Sequence, residues 1–430
     1  MTCVASVNKY VVSGASTGHL CVWEGRNCIR AIKAHSGSIT AIYVPPSGEG
    51  MVSASADGKV QLWSPALEVG SMFDVSALGC VDRAVSGVSW DPTNKKILVG
   101  MWSSEIYEIN DAEGYNLHAG PIVSGHYAGQ VTGVATNPLN TSQYCTVGSD
   151  KTVRVWDALL KKVIKMVVLD TACRCVAYSP DGSQIAVGFG SGGKAFKQKK
   201  DGGFVVLSEE DLTIVHEARD SKQTLTCVKF SLDGTSLAFG SMDRCIYAYN
   251  VGDFASKAKA RGHKGAITHM DFGRVVGTNN AVFIQSNSDI GEILFWDIET
   301  GEQQTPRNQR DTEWETQTCV LAWPLKGAWG PYDDEAHLST CCRSSSGELI
   351  ATGDVYGRVR IYRYPAIARN TNYVLFRGHG GNVTNMRFSP DDRFLYTTGG
   401  DDCCVMQWVH EADGFEEEAG LLEANPEDAR

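Results

Sequence analysis

No long apolar run occurs in this sequence. No stretch reaches the roughly 18 residues that a bilayer crossing needs. Positive charge is in deficit: 39 Lys and Arg stand against 50 Asp and Glu, for a net charge of −11. A surface of that sign disfavours nucleic acid, because phosphate binding needs basic stripes, and it disfavours anionic membranes too. Residues 1–10 lack a basic region followed by an apolar one, so no signal peptide is read there. The 14 cysteines form no pair of C-x-x-C motifs at zinc-finger spacing; Cys341-Cys342 and Cys403-Cys404 are adjacent, and Cys173 and Cys175 form C-x-C. They read as reduced thiols, many on buried strands, with no metal implied. Catalytic signatures are missing as well: there is no G-x-S-x-G, no H-E-x-x-H and no local Cys/His pair. Gly188 to Lys194 reads G-x-x-x-x-G-K, but Ala195 stands where a phosphate loop needs Ser or Thr, and a basic loop follows instead of a helix. The expectation is a protein that is not an enzyme and carries no cofactor. Proline is scarce, at 13 residues against 45 glycines. With many Ser, Asp and Asn, that composition suggests short strands and tight turns.

What is present is a repeat. The segments VSASADGKVQLW (Val52 to Trp63), CTVGSDKTVRVW (Cys145 to Trp156), AFGSMDRCIYAY (Ala238 to Tyr249) and TTGGDDCCVMQW (Thr397 to Trp408) share one plan. A Ser/Thr/Gly-rich strand leads to a tight turn with Asp, and the next strand ends in an aromatic. SNSDIGEILFW repeats it with one extra residue between Asp289 and Trp296, and weaker copies end near Trp23, Tyr107, Leu207 and Tyr362. Turns such as Ser179-Pro180-Asp181-Gly182 and Ser389-Pro390-Asp391-Asp392 precede several units, as does a His: His35, His126, His263 and His379.

This pattern resembles the WD-repeat family, with four strands per blade and a period of about 40–45 residues. The fold implied is all-β: a β-propeller of seven or eight blades plus an N-terminal remnant of a second propeller. In such blades the loop His, a strand Ser or Thr, the turn Asp and the strand Trp form a hydrogen-bonded chain. The sets implied here are His35, Ser53, Asp57, Trp63; His126, Thr146, Asp150, Trp156; and His379, Thr398, Asp402, Trp408. Their expected role is structural, satisfying buried polar groups and pinning strands together. Units without the set, near Tyr107 and Leu207, are expected to be held by packing alone. The chain opens on VVSGASTGHLCVW, already the end of a unit. The domains expected are therefore 1–64 as the last blades of a truncated first propeller, 65–410 as the second propeller and 411–430 as an acidic disordered tail. That tail carries eight acidic residues and one basic one.

The order of irregular units sharpens the resemblance. ILVGMWSSEIYEI, VKFSLDGTSLAFGSMDRCIYAYNV, SNSDIGEILFWDIETG and FRGHGGNVTNMRFSPDDRFLYTTGGDDCCVMQW, with a G-x-W insert at Gly327-Ala328-Trp329, resemble the echinoderm microtubule-associated protein-like family. The resemblance implies the later part of a longer protein: a cytoplasmic, cytoskeletal scaffold that binds tubulin, microtubules and other proteins. An adaptor of ciliary or ubiquitin-ligase type that does not bind tubulin is the alternative. Two groups of residues are candidates for touching a partner. Lys194, Lys197, Lys199 and Lys200 form the densest basic cluster, which suits an acidic partner or is a solvated loop. Trp329 and Tyr332 lie on an insert that the repeat does not require; they are interface anchors, or Trp329 folds back over an apolar patch.

Overall fold

The structure, a computed structural model, describes residues 1–191, 199–274, 282–309, 312–329, 338–368 and 371–411. Two compact units divide the chain, residues 1–127 and 128–430. Regular structure among the described residues is strand, with a few short 3-10 turns. No helix there is long and apolar enough to cross a membrane.

The first unit holds three antiparallel sheets. Strands β1 to β4 are Cys3–Val7, Tyr10–Gly14, His19–Glu24 and Asn27–Lys33; β5 to β8 are Ile39–Tyr43, Met51–Ser55, Lys59–Trp63 and Val69–Asp74. The third sheet has β9 (Val85–Asp91), β10 (Lys96–Met101) and β11 (Ile106–Asn110), and isolated bridges join Ile106 to Val123 and Ile109 to Asn116 beyond it.

The second unit holds six sheets. They are β12–β15 (Val131–Thr136, Gln143–Gly148, Thr152–Asp157, Lys162–Val168) and β16–β19 (Cys173–Tyr178, Gln184–Phe189, Gly203–Ser208, Ile214–Arg219). Then come β20–β23 (Leu225–Phe230, Ser236–Ser241, Cys245–Asn250, Ser256–Arg261) and β24–β27 (Ile267–Phe272, Phe283–Ser288, Ile293–Asp297, Gln303–Gln304). The last two are β28–β31 (Leu338–Arg343, Leu349–Asp354, Arg358–Arg363, Tyr373–Arg377) and β32–β34 (Val383–Phe388, Phe394–Gly399, Val405–Val409). Each runs in simple up-and-down order, as hairpin-connected strands should.

Successive sheets of the second unit bury their faces against one another. Val153 and Val155 of one sheet share an apolar cluster with Val176, Val187 and Val205 of the next, and Phe204 and Val206 then pack with Val228, Phe239 and Tyr249. The circuit closes: β32 and β33 pack beside β12, and the rings of Tyr144 and Tyr396 stack with centroids 4.1 Å apart. This is the propeller expected from the repeat, in which closure removes the free sheet edges.

A hydroxyl stitch, not visible in the repeat, joins neighbouring sheets. The second residue of several first strands donates to the first carbonyl of the next sheet: Thr132 to Cys173 (2.9 Å), Thr226 to Ile267 (2.5 Å), Ser339 to Val383 (2.5 Å) and, closing the ring, Thr384 to Val131. Thr2 makes the same bond to Ile39 (2.5 Å) in the first unit. Arg174 occupies this position in β16 and reaches back to Gln130 instead.

The ring is not fully regular. Between β24 and β28 runs an irregular stretch: Thr318 bonds to Asp271 on one side, while Cys341 on the other donates to the Gln317 carbonyl at 3.6 Å. Six regular sheets and this stretch thus stand where seven or eight blades were expected.

The division at residue 127 differs from the expected one after residue 64. Val52, Val60, Val85, Ile97 and Tyr107 are buried in one cluster, so β5–β8 and β9–β11 belong together. The ring of the second unit opens only at Val131, whose strand packs beside both β16 and β32. Of the expected acidic tail, residues 412–430 lie outside the described residues.

Candidate protein-interaction surface

Rigid blades are the precondition for a binding surface, and the polar chains inside them supply rigidity. In β5–β8, the Trp63 indole N–H donates to Ser53 Oγ at 2.9 Å, and His35 Nε2 meets the same hydroxyl at 2.9 Å. Asp57 Oδ2 accepts the Ser36 and Gly37 backbone N–H groups at 2.8 and 3.3 Å. His35 Nδ1 lies 3.5 Å from Asp57. Burial pushes the His35 imidazole down, against the pull of Asp57. Burial alone would raise the Asp57 carboxyl; hydrogen bonds from Ser36 and Gly37 and the nearby His35 outweigh it and hold the group below its usual range. In β12–β15, Trp156 donates to Thr146 at 2.7 Å, and His126 and Asp150 are buried. Trp23 and Ser13 form the same pair at 2.9 Å in the first sheet, where no full set was expected.

A correction falls on the last blade. The hydroxyl there belongs to Thr397, not Thr398: Trp408 Nε1 donates to Thr397 Oγ1 at 2.9 Å, and His379 Nε2 meets it at 2.8 Å. His379 Nδ1 lies 2.9 Å from Asp402, as expected. Everywhere else the hydroxyl precedes Trp by ten residues. Here it precedes by eleven, because the turn before Val405 holds one more residue, with Cys403 at φ 52°. Side chains alternate across a strand, so Thr398 points to the opposite face and bonds Thr384 and Asn385.

The sequence reading also missed a set. In β24–β27, Trp296 and His263 share Ser286 Oγ at 2.8 and 2.7 Å. Glu292, not Asp289, takes the acid's place, 3.3 Å from His263 Nδ1 and accepting the Lys264 N–H at 3.0 Å. A longer side chain set closer to Trp296 reaches the same spot. In β20–β23, Ser221 replaces the histidine and bonds Ser241 (2.9 Å) and Asp243 (3.1 Å), while the Tyr249 hydroxyl donates to Asp220 at 2.7 Å. Near Leu207 apolar packing is not alone: buried Asp201, six residues before Leu207, accepts from the Ser191 N–H at 3.1 Å and from Ser191 Oγ at 2.7 Å. Near Tyr107 a polar contact supplements packing: buried Glu105 accepts from Ser103 at 2.7 Å and from the Val81 N–H at 3.1 Å.

The irregular stretch is anchored by one carboxylate. Asp271 is 0 % exposed and accepts from Thr316 Oγ1, Thr318 N and Oγ1, Cys319 N and Gln285 Nε2, at 2.5 to 3.1 Å. Burial would raise this carboxyl, but Lys229 Nζ at 4.0 Å and the Thr316 and Thr318 bonds hold it below its usual range. Further along, Gly327 donates its N–H to the Ala366 carbonyl at 2.7 Å. A Cβ at Gly327 would lie 2.1 Å from the Ala368 carbonyl oxygen, so only glycine fits this approach.

Of the residues singled out for partner contact, Lys194, Lys197 and Tyr332 lie outside the described residues. Lys199 is exposed, and Lys200 is paired with Asp170 (3.0 Å) and Glu217 (2.9 Å). Trp329 is half-buried: its indole N–H donates to the Val320 carbonyl at 3.0 Å and its ring packs on the cluster of Val320, Leu325 and Tyr362. The exposed indole on this stretch is Trp323, 63 % accessible. Sequence offered no means of telling the two apart, since both sit outside the strand pattern. No group of three or more His, Cys, Asp or Glu side chains among the described residues is placed to hold a metal ion.

Comparison with known proteins follows the same boundary as the fold. Residues 131–410 match the family model of the echinoderm microtubule-associated protein second beta-propeller, and residues 26–64 match the WD domain, G-beta repeat. Echinoderm microtubule-associated protein-like 1 of Homo sapiens is 31 % identical over 412 residues, covering 94 % of this chain and 47 % of the relative. The 77 kDa echinoderm microtubule-associated protein of Strongylocentrotus purpuratus is 30 % identical over 410 residues (93 % and 56 %), and echinoderm microtubule-associated protein-like 3 of Homo sapiens is 28 % identical over 421 (93 % and 44 %). The chain spans about half the length of these relatives. With its closed ring of WD-type blades and a family match over that whole ring, this chain belongs to the echinoderm microtubule-associated protein-like family.

Proposed function

We propose that this chain is a non-enzymatic scaffold of the cytoskeleton that binds tubulin or microtubules through the loops and rims of its blades. The observation that carries the reading is the family match across residues 131–410, together with relatives named as microtubule-associated proteins. The physical support is a stiff platform: blades pinned internally by buried polar chains hold several loops in fixed relation, and binding by surface complementarity gains from that preorganisation. Trp323 is the aromatic this reading favours as an anchor, in place of Trp329, whose ring is already committed.

The test is co-sedimentation with polymerised microtubules and pull-down of soluble tubulin, using the full chain. Binding in either assay, weakened several-fold by Trp323→Ala, is the expected result; retention of neither polymer nor soluble tubulin at micromolar concentrations would overturn it. One observation favours a second reading, an adaptor for a partner other than tubulin. Lys200 is already paired with Asp170 and Glu217, and the chain as a whole is acidic, so neither that lysine nor the net charge builds in strong attraction to an acidic partner.

A further inference from the structure

Charge is spread unevenly over the second unit. The bonds that stitch its sheets together set the starts of the first strands at one end of the ring. The loops before those strands, and the turns between second and third strands, therefore gather at that end. One corner of it, where β20–β23 borders β24–β27, is rich in cations. Lys222 lies in the loop before β20, Arg244 in the turn between β21 and β22, Arg261 at the end of β23 and Lys264 in the loop before β24. All four are exposed.

Short contacts hold these residues beside one another. Ser221 Oγ donates to Asp243 Oδ2 at 3.1 Å and the Met242 N–H to the Thr224 carbonyl at 2.9 Å, which ties the Lys222 loop to the Arg244 turn. Cys245, next to Arg244, pairs in register with Arg261, and Lys264 follows three residues later. The turn between β25 and β26 packs on the Lys264 loop. Its Asp289 N–H donates to the Ala266 carbonyl at 2.9 Å, and a Cβ on Gly265 would stand 2.8 Å from Ile290 Cγ1. Ile290 is 56 % exposed at this place.

The acids of the corner are mostly turned to internal donors. Half-buried Asp243 accepts from Ser221 and, at 3.1 Å, from the Cys245 N–H; half-buried Glu292 accepts the Lys264 N–H at 3.0 Å. Exposed Asp220 accepts the Tyr249 hydroxyl at 2.7 Å, and Asp289 is exposed beside Ile290. Lys222, Arg244, Arg261 and Lys264 have no ion pair among the described residues. A layer of unpaired cations thus lies outside a layer of engaged carboxylates. At the opposite end of the ring the turns expose Asp181, Asp211, Asp233, Asp253 and Asp391. An acidic ligand is drawn to the first end and repelled from the second.

We propose that Lys222, Arg244, Arg261 and Lys264, set around Ile290, dock an acidic segment of a partner protein that carries an apolar residue among its carboxylates. The two arginines offer planar forks to carboxylates and the two lysines point charges, while Ile290 gives the contact an apolar centre. A long polyanion such as a nucleic acid fits less well, because beyond this corner it meets the surface of a chain with net charge −11. The inference rests on reading the chain as a protein-binding scaffold and does not depend on tubulin being the partner.

Fluorescence anisotropy of the full chain with two dye-labelled probes tests this: a glutamate peptide, and the same peptide with one central leucine. At about 50 mM salt both should bind, with affinity falling as salt rises. The leucine peptide should bind several-fold tighter, and Ile290→Ser should erase that advantage. Arg244→Gln with Arg261→Gln should weaken both roughly five-fold or more, whereas Lys162→Gln with Arg363→Gln, which removes the same charge from exposed positions elsewhere, should leave them nearly unchanged. If the first pair fails to fold, Lys222→Gln with Lys264→Gln takes its place. Peptide binding without retention of tubulin strikes the tubulin reading alone; tubulin retention without peptide binding strikes this corner alone. No binding of either peptide, equal losses in the two double variants, equal affinity for the two peptides, or tighter binding of single-stranded RNA than of either overturns the proposal.

Discussion

The Trp408 indole donates to the hydroxyl of Thr397 across eleven residues of chain, at 2.9 Å, and His379 shares the same oxygen. One buried hydroxyl thus serves two ring nitrogens. Thr397→Val keeps the shape and leaves both without a partner; the expected cost is about 2 kcal/mol, measured by chemical denaturation. Thr398→Val, on the opposite face, should cost less than half as much. Equal costs would show that the two hydroxyls have been assigned to the wrong faces.

Asp271 ties the irregular stretch to the ring. Asp271→Asn turns an acceptor of five bonds into a partial donor facing N–H groups and removes the charge next to Lys229. A loss of about 3 kcal/mol is expected. Because the folded carboxyl titrates below its usual range, the wild-type advantage is present above pH 4 and disappears as pH falls through the folded value. Urea denaturation of both proteins at pH 7 and at pH 3 reads the difference.

Glu315 behaves in the opposite sense. Burial pushes its carboxyl up to about 7, even though it accepts the Leu232 N–H at 2.9 Å. The folded state therefore holds a proton that the unfolded chain has released, and stability falls as pH rises from about 4.5 to 7. Glu315→Gln keeps the acceptor and cannot ionise. It should match wild type at pH 4 and exceed it at pH 8 by roughly 1 to 2 kcal/mol, discounted for partial exposure. Parallel stability curves over that range would refute the shift.

Gly327→Ala places a methyl group against the Ala368 carbonyl. The expected outcome is a loss of roughly 2 kcal/mol or more and faster proteolysis near residues 320–329, read by limited digestion.

Much of this architecture is legible in the residues, because hairpins with a fixed Asp-to-Trp interval announce themselves. The sets at His35 and Trp63 were found for that reason. What counting could not see was one extra turn residue, which moved a hydroxyl from Thr398 to Thr397, and a longer acid, which let Glu292 act where Asp289 was expected. The unit boundary escaped for a different reason: whether β5–β8 packs with β9–β11 is decided by facing apolar surfaces, such as Val60 against Ile97, and not by repeat spacing. Trp329 and Trp323 are indistinguishable by type, and only the hydrogen bond from Trp329 to Val320 separates a covered indole from an available one.

The bond from Thr384 to the carbonyl of Val131 spans 253 residues. A ribosome releases the receiving strand long before the donating one, at about 5–20 residues per second. For much of a minute or so the face of β12 that β32 will cover has no neighbour, so the growing chain carries an adhesive surface whose proper cover does not yet exist. Chaperone dependence during synthesis, and aggregation of chains halted before residue 383, follow from where the ring happens to be sewn shut.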